Sequence, residues 1–147
     1  MQLAGAQATE ALGAALGKVM RVGDVIALEG ELGAGKTTLA RGVARGLGFA
    51  GDVVSPTFPI VQIYDGSELR LPLWHVDLYR IDDPAELAEL GLDDARGDSV
   101  LVIEWAERLG TALWSDSLRL RLQPLAADAR ALTAFVPPAW EGRWPPS

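Results

Sequence analysis

Gly30-Glu31-Leu32-Gly33-Ala34-Gly35-Lys36-Thr37 fits the pattern G-x-x-x-x-G-K-[ST], and each fixed position has a physical job. The glycines allow backbone turns that are closed to other residues. Successive N–H groups of Gly33, Ala34 and Gly35 then converge on one point and can gather phosphate oxygens. If the loop opens a helix, the first-turn amides and the helix dipole add attraction for negative charge. Lys36 is placed to reach the β- and γ-phosphates of a nucleoside triphosphate, and Thr37 to offer its hydroxyl to Mg2+. The chain has only two lysines, Lys18 and Lys36, and one of them occupies the required position. The plain alternative is a glycine-rich turn that does no more than cap a helix.

A magnesium–phosphate site needs a second acidic anchor, usually at the end of a neighbouring buried strand. Val100-Leu101-Val102-Ile103-Glu104 supplies one, with Glu104 where the apolar run emerges. Trp105 comes next and either covers the site or simply packs. Guanine-specific proteins of this kind read the base with an Asn-Lys-x-Asp segment, and the chain contains no Asn. ATP is therefore the expected nucleotide.

The elements that position these residues follow from periodicity. Apolar residues at Leu12, Ala15, Leu16, Val19 and Met20 predict a helix over 9–20 with Thr9 as N-cap. Val25-Ile26-Ala27-Leu28 reads as a buried strand leading into the glycine loop. A second helix follows, with Leu39, Val43 and Leu47 on one face, closed by Gly46 and Gly48. Phe58–Tyr64, an Asp65-Gly66 turn and Leu69–Val76 read as a hairpin, with Pro72 arguing for an edge position or a bulge. Asp83-Pro84-Ala85-Glu86 has the form of a helix start, so Asp83 and Glu86 are assigned to capping, and that helix should stop near Gly91. Leu118, Leu120 and Leu122 alternate with Arg119 and Arg121, giving a strand with one wet face, and Ala131–Val136 is its expected partner. Strands alternating with helices predict an α/β, P-loop NTPase-like three-layer sandwich, its sheet mostly parallel with an antiparallel hairpin portion. The domain is expected over 1–136. Residues 137–147 are expected to form an irregular tail, with Trp140 and Trp144 folded back over the domain or serving as a docking peptide.

Composition narrows the rest. The chain has 147 residues, 49% hydrophobic and 22% charged, which is one ordinary domain with enough apolar content for a core. Thirteen basic against twenty acidic residues give a net charge of −7, which excludes a broad basic surface for nucleic acid. With no cysteine and a single histidine, His75, thiolate metal sites, disulfides and two-histidine zinc sites are excluded. No basic patch precedes an apolar stretch at the N-terminus and no apolar run reaches membrane-spanning length, so a cytoplasmic location is expected.

Five segments occur in order: GELGAGKTT over 30–38, SPTF over 55–58, HVDLYR over 75–80, DPAELAELG over 83–91 and IEW over 103–105. Together they resemble the bacterial TsaE family, the ATPase component of tRNA threonylcarbamoyladenosine biosynthesis, across residues 9 to 136. The resemblance implies that Gly33, Ala34, Gly35, Lys36, Thr37 and Thr38 wrap the phosphates of ATP and that Thr37 and Glu104 hold Mg2+. It makes Asp77 the family's essential acid in H-x-D-L-Y-R. It puts Thr9 near the nucleotide's base or ribose, and it makes Ser55-Pro56-Thr57 a switch-like loop with Thr57 over the γ-phosphate. Two departures stand out. Pro59 falls where the family has a small residue, which stiffens that loop and removes a donor. Asp128-Ala129-Arg130 matches the family's C-terminal glycine-arginine segment only loosely, so no nucleotide contact is assigned to it.

His75 and Asp77 alternate along one strand face. Asp77 either orients the attacking water or holds a Mg2+-bound water, and Lys36 and Asp77 are the expected catalytic pair. His75 is read equally as a site residue or a packed strand histidine. Arg80 is the best placed candidate for an arginine finger in cis. The resemblance implies a slow Mg2+-dependent ATP hydrolase that works docked on TsaD and TsaB proteins, with tRNA reached indirectly. The alternatives are an ATP-loaded adaptor whose bound state controls its partner and, more distantly, a small-molecule kinase.

Overall fold

A computed structural model of the chain describes residues 1–31, 33–53 and 60–146. Its strands are β1 (Gln2–Leu3), β2 (Val25–Gly30), β3 (Val61–Tyr64), β4 (Leu73–Asp77), β5 (Val100–Glu104), β6 (Leu118–Pro124) and β7 (Arg130–Phe135). Its helices are α1 (Ala6–Val19), α2 (Lys36–Leu47), α3 (Pro84–Glu89) and α4 (Leu92–Ala95), with 3-10 turns at Ala106–Ala112, Ala126–Asp128 and Pro138–Trp140. The seven strands form one sheet in the order β1-β7-β6-β2-β5-β4-β3. The four central strands, β6, β2, β5 and β4, are parallel, and antiparallel partners flank them on both sides. The α/β sandwich expected from the alternation of elements is the fold observed.

The side-chain pattern explains the strand positions. Val25 to Leu28 and Val100 to Ile103 are apolar without alternation and fully buried, as central strands covered on both faces must be. In β6, Leu118, Leu120 and Leu122 point into the layer beneath α1 and α2, while Arg119 and Arg121 lie on the opposite, partly wet face. A second, smaller core under α3, α4 and the 106–112 turns holds Val76, Leu78, Leu101 and Ile103.

Helices α1 and α2 approach unusually closely, because glycines meet at the contact. A Cβ on Gly42 would lie 2.1 Å from Glu10 O, and one on Gly13 would lie 2.2 Å from Leu39 O. Gly46 belongs to the same seam, inside α2 against Ala14 O, rather than ending the helix as the sequence suggested. The stop is Gly48 alone, with φ +112°. Gly42→Ala gains about 1 kcal/mol of helix propensity at most. Forcing the helices apart costs at least about 1–3 kcal/mol, so a thermal melt should show a net loss of stability.

Other boundaries shift for identifiable reasons. Helix α1 begins at Ala6 after Gly5, so Thr9 lies inside it and does not cap it. Ala6, Gln7 and Ala8 are good helix formers, and the Thr9 hydroxyl bonds back to Gly5 O at 3.2 Å. Pro72 immediately precedes β4, which is an interior strand, and the edge is β3. There its missing N–H breaks no ladder bond, and its carbonyl accepts from Val100 N. Asp83 does cap α3, accepting from Ala85 N at 3.0 Å. In the terminal segment Trp140 is fully buried in the α1/α2-side core. Arg143 lies across its ring at 4.2 Å and pairs with Asp24. Among the described residues, no helix is long and apolar enough to cross a membrane.

Candidate functional site

The carboxyl ends of parallel strands are where an open α/β sheet offers a crevice. Three of them converge here. β2 ends at Gly30 and hands the chain to the glycine loop. β4 ends at Asp77 and β5 at Glu104, and these two residues are direct neighbours in the ladder. Gly30 must be glycine: its φ is +145°, and a Cβ would sit 2.4 Å from Leu122 O of β6. Gly35, at φ +103°, turns the loop into α2, and Lys36 is the first helical residue. The N–H groups of this first turn have no partner within the helix and face the crevice with the positive end of its dipole.

The cleft is about 440 Å³. It is lined by Gly33, Ala34, Gly35, Lys36, Thr37 and Thr38 from the loop and α2, and by Asp77, Tyr79, Arg80, Glu104, Trp105 and Arg130 around them. Of the residues singled out in the sequence, those from Gly33 to Thr38 thus join Asp77 and Glu104 in one place. Thr9 lies behind the loop, its methyl 3.7 Å from where a Gly35 Cβ would be, and it is not among the lining residues. Thr57, with Ser55, Pro56 and Pro59, lies outside the described residues.

Lys36 is 5% exposed. Its ammonium donates to Gly30 O and, at 3.1 Å, to Glu31 O, and lies 3.9 Å from the centroid of the Trp105 ring. Trp105 reaches that position because it leaves β5 with φ +58°, a left-handed conformation rare for a bulky residue. It therefore both lines the cleft and packs, against the Lys36 ammonium and against the Tyr79 ring at 4.9 Å. Burial pushes the Lys36 pKa below its ordinary value, against the opposing pull of Glu104, Glu107 and Asp77.

Glu104 is 3% exposed and held from two directions. The Thr37 hydroxyl lies 3.1 Å from both carboxylate oxygens, and His75 Nε2 lies 2.6 Å from Oε2. Asp77 is 7% exposed and accepts from Tyr79 N at 2.9 Å. A hydroxyl and a carboxylate thus meet beside an ammonium and a turn of free amides. That set can hold a polyphosphate and a hard divalent cation together.

Arg130, which the sequence offers only within the loose glycine-arginine match and with no contact assigned, lines the cleft. Its Nε donates to Ala34 O at 2.9 Å and its Nη2 to Gly33 O at 3.1 Å, clamping the outside of the glycine loop. It starts β7 after a hairpin turn from β6, and only that antiparallel return brings it to the loop.

Comparison with known proteins places this geometry in a family. The family model described as threonylcarbamoyl adenosine biosynthesis protein TsaE matches residues 3–132. A tRNA threonylcarbamoyladenosine biosynthesis protein TsaE from Streptomyces coelicolor is 47% identical over 118 residues, 80% of this chain and 80% of that protein. The protein of the same name from Bacillus subtilis is 40% identical over 126 residues, 85% of this chain and 77% of its own. A crystal structure of Bacillus subtilis YdiB superposes with a TM-score of 0.76 at 32% identity, covering 91% of this chain and 82% of that one. By the family model and by these relatives, the chain belongs to the TsaE family of threonylcarbamoyl adenosine biosynthesis proteins.

Proposed function

We propose that the chain serves tRNA threonylcarbamoyladenosine biosynthesis as a Mg2+-dependent ATP hydrolase, acting while docked on TsaD and TsaB proteins. The observation that carries this reading is the convergence of Lys36, Thr37, Asp77 and Glu104 on one cleft at the N-terminus of α2. In this reading the amides from Gly33 to Thr38 cradle the phosphates, with Thr57 contributing from the switch-like loop and Thr9 near the nucleotide's base or ribose. Lys36 supplies positive charge to the β- and γ-phosphates, and Asp77 orients the attacking water or a metal-bound one. The absence of any Asn favours adenine over guanine.

The residues present fit magnesium. Among the described residues, no three His, Cys, Asp or Glu side chains form a cage for a metal. Mg2+ bound with a nucleotide needs none, because one or two protein oxygens and the phosphates complete its shell. Thr37 and Glu104 are that pair, 3.1 Å apart at the cleft. Held by Thr37 and Glu104, the ion would supply positive charge that offsets the negative charge developing on the phosphates.

Low intrinsic turnover is expected. P-loop proteins work slowly until an arginine finger completes the site, which adds about 10³–10⁵-fold when it comes in trans. Arg80 lines the cleft and is the candidate in cis. The net charge of −7 favours reaching tRNA through the partners. Calorimetric titration with ATP and GTP, with and without Mg2+, tests the reading. ATP should bind, Mg2+ should tighten it, and TsaD plus TsaB should raise hydrolysis. Silence toward both triphosphates, alone and beside those proteins, overturns it.

A further inference from the structure

The chain's one histidine lies in the interior of the sheet. His75 is fully buried in β4, on the face that packs beneath α2. Its ladder partner is Val102, and Leu73 and Val100 occupy the same layer. Burying an imidazole in such a layer is costly compared with an apolar side chain of similar size. Part of that cost is visible, because Nδ1 has no hydrogen-bond partner among the described residues. The other nitrogen accounts for the residue: Nε2 meets Glu104 Oε2 at 2.6 Å. A carboxylate only accepts, so the nitrogen that faces it is the donor, and the Nε2–H of His75 points at Glu104 Oε2.

Glu104 in turn accepts from the Thr37 hydroxyl, 3.1 Å from each of its oxygens. The proton of Thr37 is thereby turned toward the carboxylate, which leaves a hydroxyl lone pair facing away from it. His75, Glu104 and Thr37 form one polar line from the middle of the sheet to the first turn of α2. We propose that His75 is a positioning residue for the metal anchor: its Nε2–H fixes the Glu104 carboxylate, and through it Thr37, in the arrangement that receives magnesium. The proposal rests on the nucleotide reading given above. Groups that orient a metal's ligands from behind typically change metal affinity or activity by about 10–100-fold when replaced.

The test uses the full chain and a non-hydrolysable ATP analogue, titrated calorimetrically over a series of free Mg2+ concentrations and once in EDTA. Two variants separate donation from packing. The amide nitrogen of His75→Gln reaches the place of Nε2, whereas that of His75→Asn stops at the level of Nδ1. The Asn variant should need about 10–100-fold more Mg2+ to reach half of its metal-dependent gain in affinity, with binding in EDTA unchanged. The Gln variant should return the midpoint to the wild-type value. Equal midpoints for all three proteins, or equal shifts in both variants, overturn the proposal and leave the nucleotide reading standing. Should the Asn variant fail to fold, His75→Leu takes its place under the same criteria. A wild-type chain that ignores the analogue at every Mg2+ concentration overturns the nucleotide reading itself, and the proposal with it.

Discussion

Replacing Lys36 with Met is expected to lower ATP turnover by at least about 10²-fold, the scale of losing one preorganised charge-stabilising group. Methionine keeps an unbranched side chain of similar length, so the loss isolates the ammonium, which lies over the Trp105 ring. Arg80 and Arg130 also line the cleft, but Arg130 is engaged with Gly33 O and Ala34 O, and Arg80 comes from the loop after β4. Neither starts from the first residue of α2, as Lys36 does. Phosphate release measured on both proteins decides the matter, and undiminished turnover in the variant would place the chemistry elsewhere.

The same pair of proteins has a pH signature. Burial holds the pKa of folded Lys36 below the ordinary 10.5. Between that depressed value and 10.5, the unfolded chain carries a proton that the folded chain has released, so stability rises with pH. The cost of the buried charge is present below this window and is relieved as pH climbs through it. Lys36→Met lacks the group. Denaturant unfolding should therefore show the wild type gaining on the variant as the pH is raised toward 10.5. Triphosphate favours the charged ammonium, so wild-type affinity for ATP should fall over the same window while that of the variant stays flat.

What could be read before folding divides along sequence distance. The glycine loop, the apolar run ending in Glu104 and the Asp83-Pro84 helix start are local patterns, and each landed where its pattern put it. Asp77 was legible because strand alternation and the H-x-D-L-Y-R segment agree on its position. Arg130 shows in the sequence only as part of a loose match, and its place beside Gly33 does not, because that depends on a hairpin return nearly a hundred residues later. Nothing in Gln2-Leu3 announced a strand, since two residues pairing with Arg130 and Ala131 carry no periodicity. The pairing of His75 with Glu104 needs the register between β4 and β5, which no single segment contains. The glycine seam is a different case. Gly13 and Gly17, and Gly42 and Gly46, each recur at one helical turn, a spacing that marks a close helix contact. The signal is present in the sequence, but Gly46 taken alone reads as a stop, because glycine more often ends helices than joins them.

Asp77→Asn is the variant that separates an ATP-hydrolysing enzyme from an ATP-loaded adaptor. Asparagine preserves the size of the side chain and the oxygen that accepts from Tyr79 N, so the loop after β4 should hold its shape. It removes the negative charge and the proton acceptor. If Asp77 orients the attacking water, directly or through a metal-bound one, hydrolysis should fall by about 10²–10⁴-fold, the usual contribution of a positioned base. Affinity for ATP with Mg2+ should stay near the wild-type value, because Glu104 and Thr37 remain in place. The variant is then offered to TsaD and TsaB with tRNA, and modified tRNA is counted over many rounds. An enzyme whose hydrolysis resets the complex should stall after the first round when loaded with ATP that it cannot split. An adaptor should keep the partners turning over at the wild-type pace, because its bound state is all they require. The hydrolase reading predicts the stall, and sustained turnover by the loaded, inert variant would hand the function to the adaptor.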